Sequence, residues 1–470
     1  MGTDAAPVEH FDLVVIGGGP AGEKGAAQAA YFGKRVALVE RAPHPGGAAV
    51  HTGTLPSKTL RETALYLSGY RARDLYGISV RLDDPHAAVP RLIARKDEIA
   101  RGETERIYAN VARHHIEYVR GAARFVDAHT VEVGSRRLRG DVVLLATGSS
   151  PLRPPEVPID DPEVYDSDEI LEIDRLPSTL TVLGAGVIGC EYACMFAALG
   201  VRVTLVDART EVLPFLDREI AERLLEAMRH LGVEIVLGAR WTNVGRERPN
   251  EGLVVCALSN GVTLRTDKLL FASGRTGNSR ALGLETIGVA CDSRGHVRVD
   301  AAYRTTVPHV YAAGDLVGFP ALASVAMEQA RVAVCHAFGF DYKRDVTPMW
   351  PYGIYTIPEV SAVGETERSC EDKRIEYVVG RALYRENARG LITGDVDGMT
   401  KLIVHTGTRR VIGVHVIGER ASELVHVGQA VMHLGGTVDA FIEMVFNYPT
   451  LSESFKYAAY SALGALAARA

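Results

Sequence analysis

Three glycines and an acid recur in this chain at one fixed interval. Gly17, Gly19 and Gly22 return as Gly184, Gly186 and Gly189, and Glu40 returns as Asp207, each 167 residues on. One GxGxxG match is weak, because glycine-rich turns are common. Two copies in register, each with its acid 18 residues past the third glycine, are hard to obtain by chance. Both copies also carry the right surroundings. Residues 13–16 and 181–183 are apolar strands, an Ala-rich helix follows each turn, and residues 35–39 and 201–206 read as second strands.

That pattern is a βαβ unit with a dinucleotide fingerprint. The first glycine allows the tight turn, the second lets backbone approach a pyrophosphate, and the third lets helix pack closely on strand. Free N–H groups and the positive dipole end of the helix then hold phosphate. The acid accepts hydrogen bonds from a ribose hydroxyl. Beside Asp207 stands Arg209. It either meets a 2′-phosphate, as a site taking both nicotinamide dinucleotides would need, or is an ordinary surface turn arginine.

A chain of 470 residues exceeds one hydrophobic core and suggests about three domains. Strand segments 142–145 and 269–272 close on Ala146-Thr147-Gly148 and Ser273-Gly274-Arg275, and the Pro-rich stretch 150–158 reads as a linker. Residues 305–315 form a short strand ending in Gly314-Asp315 before an Ala-rich helix. Past about Asp345 the character changes to alternating strands, 400–404 and 410–417, with helices near 421–434 and 438–444. The expectation is an α/β fold: two Rossmann-like dinucleotide-binding domains plus a C-terminal α+β domain. Its boundaries fall at 1–150, 151–275, 276–345 (returning to the first domain) and 346–470.

The net charge of −6, with no basic cluster interleaved with aromatics, points away from nucleic acid and toward small-molecule partners. Residues 1–10 lack Lys and Arg and the apolar run 13–16 is too short for a signal or membrane segment, so a cytoplasmic protein is expected. Six cysteines stand without CxxC pairs or zinc spacing, and no metal site is expected. Cys190 and Cys194, four apart on one helix, make a poor disulfide geometry.

With these residues in view, the chain resembles the pyridine nucleotide-disulfide oxidoreductase family, and within it the soluble transhydrogenase branch. The resemblance is carried by Gly17-Gly18-Gly19-Pro20-Ala21-Gly22, Pro56-Ser57-Lys58, Ala146-Thr147-Gly148, Gly184-Ala185-Gly186-Val187-Ile188-Gly189-Cys190-Glu191, Tyr311-Ala312-Ala313-Gly314-Asp315 and Tyr448-Pro449-Thr450-Leu451-Ser452-Glu453. It implies FAD on the first unit, held by Gly17, Gly19, Gly22, Glu40, Thr147, Gly148, Gly314 and Asp315. It implies NAD(P) on the second, held by Gly184, Gly186, Gly189, Asp207, Arg209 and Gly274. Lys58 and Glu191 are implied as a catalytic pair beside the flavin, and the last domain as the contact of a homodimer or larger homo-oligomer. The helix opening near Leu322 would aim its dipole at the flavin.

Two departures from the family pattern belong to one chemistry. Where most members carry a redox disulfide ahead of Pro56-Ser57-Lys58, this chain has Ala49 and Thr54, and where they carry a histidine in a His-Pro-Thr motif it has Tyr448. No dithiol can form, so electrons must leave the flavin by another route. The branch resemblance implies hydride exchange between NADPH and NAD through the flavin; a quinone or dye reductase of the same family is the alternative, and a flavin-bearing sensor without turnover a third reading. His51 and Tyr448 read as packing residues.

Overall fold

The computed structural model describes residues 7–69, 76, 85–248 and 251–469. Residues 1–6, on which part of the reading of the acidic N-terminal stretch rests, lie outside the described residues.

The first sheet has a parallel heart in the order Glu117–Arg120, Val36–Glu40, Val8–Ile16, Arg136–Leu145 and Val310–Ala312. Leu13, Val14 and Val15 are all fully buried. A parallel strand covered on both faces reads as a continuous apolar run for that reason, and each such side chain contributes about 1.5–3 kcal/mol of burial. The strand also begins earlier than the apolar run suggested, because Val8–Phe11 continue the pairing against Arg137–Gly140. Thr130–Val133 and Ala123–Phe125 add an antiparallel flank.

The second sheet repeats the plan: Glu234–Leu237, Arg202–Asp207, Thr179–Leu183, Lys268–Phe271 and Val164–Asp166, all parallel. In each sheet the strand leading into the glycine turn sits between strands reached by opposite crossovers. The crevice at its carboxyl end is where ligands of doubly wound sheets bind. The expected linker 150–158 is anchored at its start, where Ser149–Pro151 pairs antiparallel with Arg275–Gly277 as a two-stranded ribbon, and runs on as loop and turn. Backbone bonding across this crossing fixes how the two sheets face each other. The helix Pro85–Arg113 left no clear mark in the sequence reading.

The C-terminal sheet is antiparallel, in the order Tyr352–Ile354, Val360–Gly364, Val411–Ile417, Met399–His405 and Tyr377–Leu383. Helices Ala421–His433 and Ser454–Ala467 pack on it around Phe441 and Phe455. It is tied to the second unit by a buried charge. Lys401 Nζ, fully buried, lies 2.6 Å from Asp217 and 2.9 Å from Glu219 and also bonds Glu367. These three acids are close enough together to hold a cation, and the lysine ammonium supplies that charge. Among the described residues no helix is long and apolar enough to cross a membrane.

Candidate functional site

The two glycine turns share one hydrogen-bond skeleton. Gly17 N–H donates to Val39 O and Gly184 N–H to Val206 O, both at 2.8 Å. Their φ angles, 107° and 113°, lie where only glycine is at ease. A Cβ on Gly22 or Gly189 would stand 1.8 Å from the carbonyl oxygen of Gly17 or Gly184, so helix and turn touch backbone to backbone. Gly19 and Gly186 are the N-caps of helices Pro20–Tyr31 and Val187–Ala198, and neither end carries a side-chain cap. Their first N–H groups stay available to an anion.

The acids are held alike. Glu40 accepts from Gly18 N–H at 2.7 Å and Ala42 N–H at 2.7 Å. Asp207 accepts from Ala185 N–H at 2.6 Å and Arg209 N–H at 2.8 Å. Each carboxylate is thereby fixed at the end of its second strand, and that of Glu40 keeps lone pairs for a ribose. Arg209 also folds its guanidinium onto Asp207, Nη2 to Oδ2 at 2.7 Å and Nε to Oδ1 at 3.0 Å. Burial opposes charge on Asp207, yet the hydrogen bonds from Arg209 outweigh it and hold the carboxyl below its ordinary range.

Between the turns, Lys58 and Glu191 meet. Lys58 sits in the first turns of helix Thr54–Ser68 and Glu191 in helix Val187–Ala198, and Nζ donates to Oε2 at 2.6 Å. The other carboxylate oxygen accepts Tyr355 N–H at 2.8 Å, and the Lys58 ammonium lies 4.8 Å from the centre of the Tyr355 ring. Glu191 is buried while a quarter of Lys58 stays exposed, so the acid anchors an ammonium that still faces the cavity.

The remaining predicted residues converge on the same space. Thr147 Oγ1 donates to Asn278 O at 2.8 Å, and Asn278 Nδ2 returns a bond to Thr147 O. Asp315 accepts from Ser149 Oγ at 2.9 Å, and Gly314 N–H donates to buried Gln329 at 2.8 Å. Arg275 clamps Ser149 through both its hydroxyl and its carbonyl. The helix Ala323–Phe338 begins at Leu322 and its first residues line the cavity, as its sequence position suggested. One cavity of about 1790 Å³ runs continuously past Glu40, Lys58, Gly148, Gly274 and Asp207. A single small-molecule site occupies roughly 300–1,000 Å³, so this space exceeds one such site.

The altered loop forms a short helix, Gly47–His51, and Ala49 and Thr54 both line the cavity. His51 bonds Pro45 O at 2.9 Å. All six cysteines are free. Cys190 and Cys194 are fully buried on the helix of the second turn, and burial pushes their thiols up, that of Cys194 to about 12. Tyr448 is largely exposed, on a stretch where Met444 and Val445 are exposed too. Tyr355, Asn278, Gln329 and Ser149 escaped the sequence reading. None stands in a motif, and only the tertiary contacts bring them to the cavity.

A family model described as pyridine nucleotide-disulphide oxidoreductase matches residues 11–330, and one described as the dimerisation domain of the same group matches residues 350–459. The soluble pyridine nucleotide transhydrogenase of Mycobacterium tuberculosis is 44% identical over 467 residues, 98% of this chain and 99% of the relative. That of Hahella chejuensis is 40% identical over 463 residues, 97% of this chain and 98% of the relative. Among solved structures, LpdA of Mycobacterium tuberculosis superposes with a TM-score of 0.88 at 28% identity, covering 96% of this chain and 99% of that one. The HOCl-induced flavoprotein disulfide reductase RclA of Escherichia coli gives 0.85 at 29% identity, covering 95% and 98%.

Proposed function

The chain belongs to the pyridine nucleotide-disulphide oxidoreductase family, and on that premise we propose that it is an FAD-dependent transhydrogenase passing hydride between NADPH and NAD. The observation that carries the reading is a single cavity joining two dinucleotide turns, with Ala49 and Thr54 where a thiol exit would be. The family uses FAD and NAD(P), and the two glycine cradles fit such groups: each would be closed by any Cβ at its third glycine, and each ends on a fixed acid.

We assign FAD to Gly17, Gly19, Gly22, Glu40, Thr147, Gly148, Gly314 and Asp315, on the segments 1–150 and 276–345. We assign the nicotinamide dinucleotide to Gly184, Gly186, Gly189, Asp207, Arg209 and Gly274, on 151–275. The flavin, when bound, supplies a ring that takes a hydride from one nicotinamide and gives it to another. The chain's part is charge and position. Lys58 holds a fixed positive charge at the cavity wall, and Glu191 with Tyr355 N–H keeps that ammonium in place. The helix Ala323–Phe338 adds its positive end. With no thiol relay, the second unit serves as both entrance and exit for hydride, and the two nucleotides must take turns. Residues 346–470 are assigned to a homodimer contact, supported by the dimerisation-domain match and the exposed apolar side chains Leu434, Met444 and Val445. A cytoplasmic location accords with this chemistry.

Initial rates with NADPH and an NAD analogue test the proposal. Parallel double-reciprocal lines are expected, together with reoxidation of the NADPH-reduced enzyme by NAD. Reduced enzyme that passes hydride to neither nucleotide, or that turns over a quinone much faster than NAD, would overturn it.

A further inference from the structure

The shared hydrogen-bond skeleton allows the two units to be compared position by position, including across strands that are not neighbours in sequence. In the first unit the carbonyl of Glu40 accepts Gly121 N–H at 2.8 Å; in the second that of Asp207 accepts Ala239 N–H at 3.1 Å. Matched by the N–H that this carbonyl accepts, the residues that follow, Ala122 and Arg240, are counterparts, although the strand registers, Glu40 with Arg120 and Asp207 with Leu237, put Arg240 one residue further past its strand. Ala42 and Arg209 are equivalent in the same way, each giving its N–H to the acid two residues before it. So the second unit carries two arginines where the first carries two alanines, both around the acid at the ribose end. All four residues line the cavity.

The two arginines are not in the same state. The guanidinium of Arg209 is folded onto Asp207, which neutralises it. Arg240 is exposed, and among the described residues its side chain has no hydrogen-bond or acidic partner. Its backbone is nevertheless fixed, with N–H donating to Ser259 Oγ at 3.0 Å and C=O accepting Ser259 N–H at 2.7 Å. A free guanidinium on a fixed stem, facing the crevice at a ribose-binding acid, is suited to a phosphate on that ribose.

Building on the assignment of this unit to the nicotinamide dinucleotide, we propose that Arg240 is the residue that recognises the 2′-phosphate of NADP(H), while Asp207 with Arg209 serves the free hydroxyl of NAD(H). One site then takes both nucleotides, the hydroxyl of NAD(H) taking over an Asp207 lone pair that the Arg209 guanidinium holds. The first unit has alanines at both places, and its cavity-lining cation, Arg41, directly follows the acid instead of standing at either of them.

The test uses holoenzyme and two probes, 5′-AMP and adenosine 2′,5′-bisphosphate, each competed against NADH in anaerobic flavin bleaching. The quantity read is the preference for the bisphosphate, the ratio of the two dissociation constants. Arg240→Ala is expected to lower that preference about tenfold and to flatten its salt dependence, with Arg240→Lys keeping part of it. Arg209→Ala is expected to change it less. If Arg240→Ala weakens both probes equally, or if Arg209→Ala alone collapses the preference, the assignment of Arg240 falls while the site survives. If neither probe competes in the parent enzyme, the assignment of the unit falls with it. Retained flavin absorbance in each variant shows that the fold is intact.

Discussion

Replacing Lys401 with methionine removes one ammonium from the joint between the second unit and the C-terminal sheet while keeping the length of the stem, so no large cavity opens. Three carboxylates lose their cation. Glu219 and Glu367 are about a quarter to a third exposed and can turn toward water, but the Asp217 side chain is 1% exposed and cannot. It keeps only two long backbone donors, Glu219 N–H at 3.2 Å and Glu367 N–H at 3.3 Å. Breaking a buried pair by removing one partner costs about 3–5 kcal/mol; with those donors remaining, we expect about 3. At roughly 2–4 °C per kcal/mol for a unit of this size, the melting midpoint should fall by about 6–12 °C at neutral pH.

The pH dependence follows from the directions of the shifts. Burial opposes the charge of Lys401, but the hydrogen bonds it donates to Asp217 and Glu367 raise it above the ordinary lysine range. Its contribution is complete below about pH 10 and is lost as pH rises through the raised value. Burial likewise opposes charge on Asp217, and nearby His415 and the Lys401 hydrogen bond outweigh it, leaving the carboxyl lowered. Burial also pushes His415 below its ordinary range, so at neutral pH the lysine is the effective partner. Glu219 is lowered too, burial again being outweighed by Lys401 and Arg381. Carboxylate contributions are present above about pH 4 and vanish as pH falls through the lowered values. The deficit of the methionine variant should therefore be largest near neutrality and shrink toward pH 5, where its uncompensated acid can take up a proton. Adding Asp217→Asn should restore more than half of the loss. Thermal melts at fixed protein concentration measure all of this; a shift under about 1 °C, or a deficit that grows on acidification, would refute the reasoning.

Two further outcomes can be measured directly. Gly22→Ala and Gly189→Ala each force a Cβ to 1.8 Å from a carbonyl oxygen. The first should purify with little flavin absorbance, whereas the second should keep its flavin and lose bleaching by NADPH; the opposite pairing would reverse the assignment of the two units. Iodoacetamide at pH 8 should leave activity intact and label Cys291 ahead of the others. Cys291 is only partly buried, whereas Cys190 and Cys194 are inaccessible and protonated, Cys194 holding its proton up to about pH 12. Inactivation that tracks labelling of Cys190 or Cys194 would contradict that picture.

What the sequence determined by itself is whatever local chemistry writes within a few tens of residues. A tight turn needs Gly17 and Gly184, close helix packing needs Gly22 and Gly189, and an acid must stand at the end of the next strand. Those demands recur at a fixed interval and are legible in the sequence itself. The loss of the thiol relay at Ala49 and Thr54 was legible too, through family resemblance. Lys58 and Glu191 stand 133 residues apart, and no local spacing announces their contact; resemblance suggested it, and the 2.6 Å distance belongs to the packing of two helices. Tertiary structure alone decided the rest. Tyr355 reaches Glu191 from the C-terminal region, Lys401 gathers acids from the starts of two helices, Arg218–His230 and Glu367–Lys373, and Arg240 comes beside Asp207 only because parallel strands place their carboxyl ends side by side. Such neighbours are set by long-range strand pairing and burial, which leave no periodic mark around the residues they join.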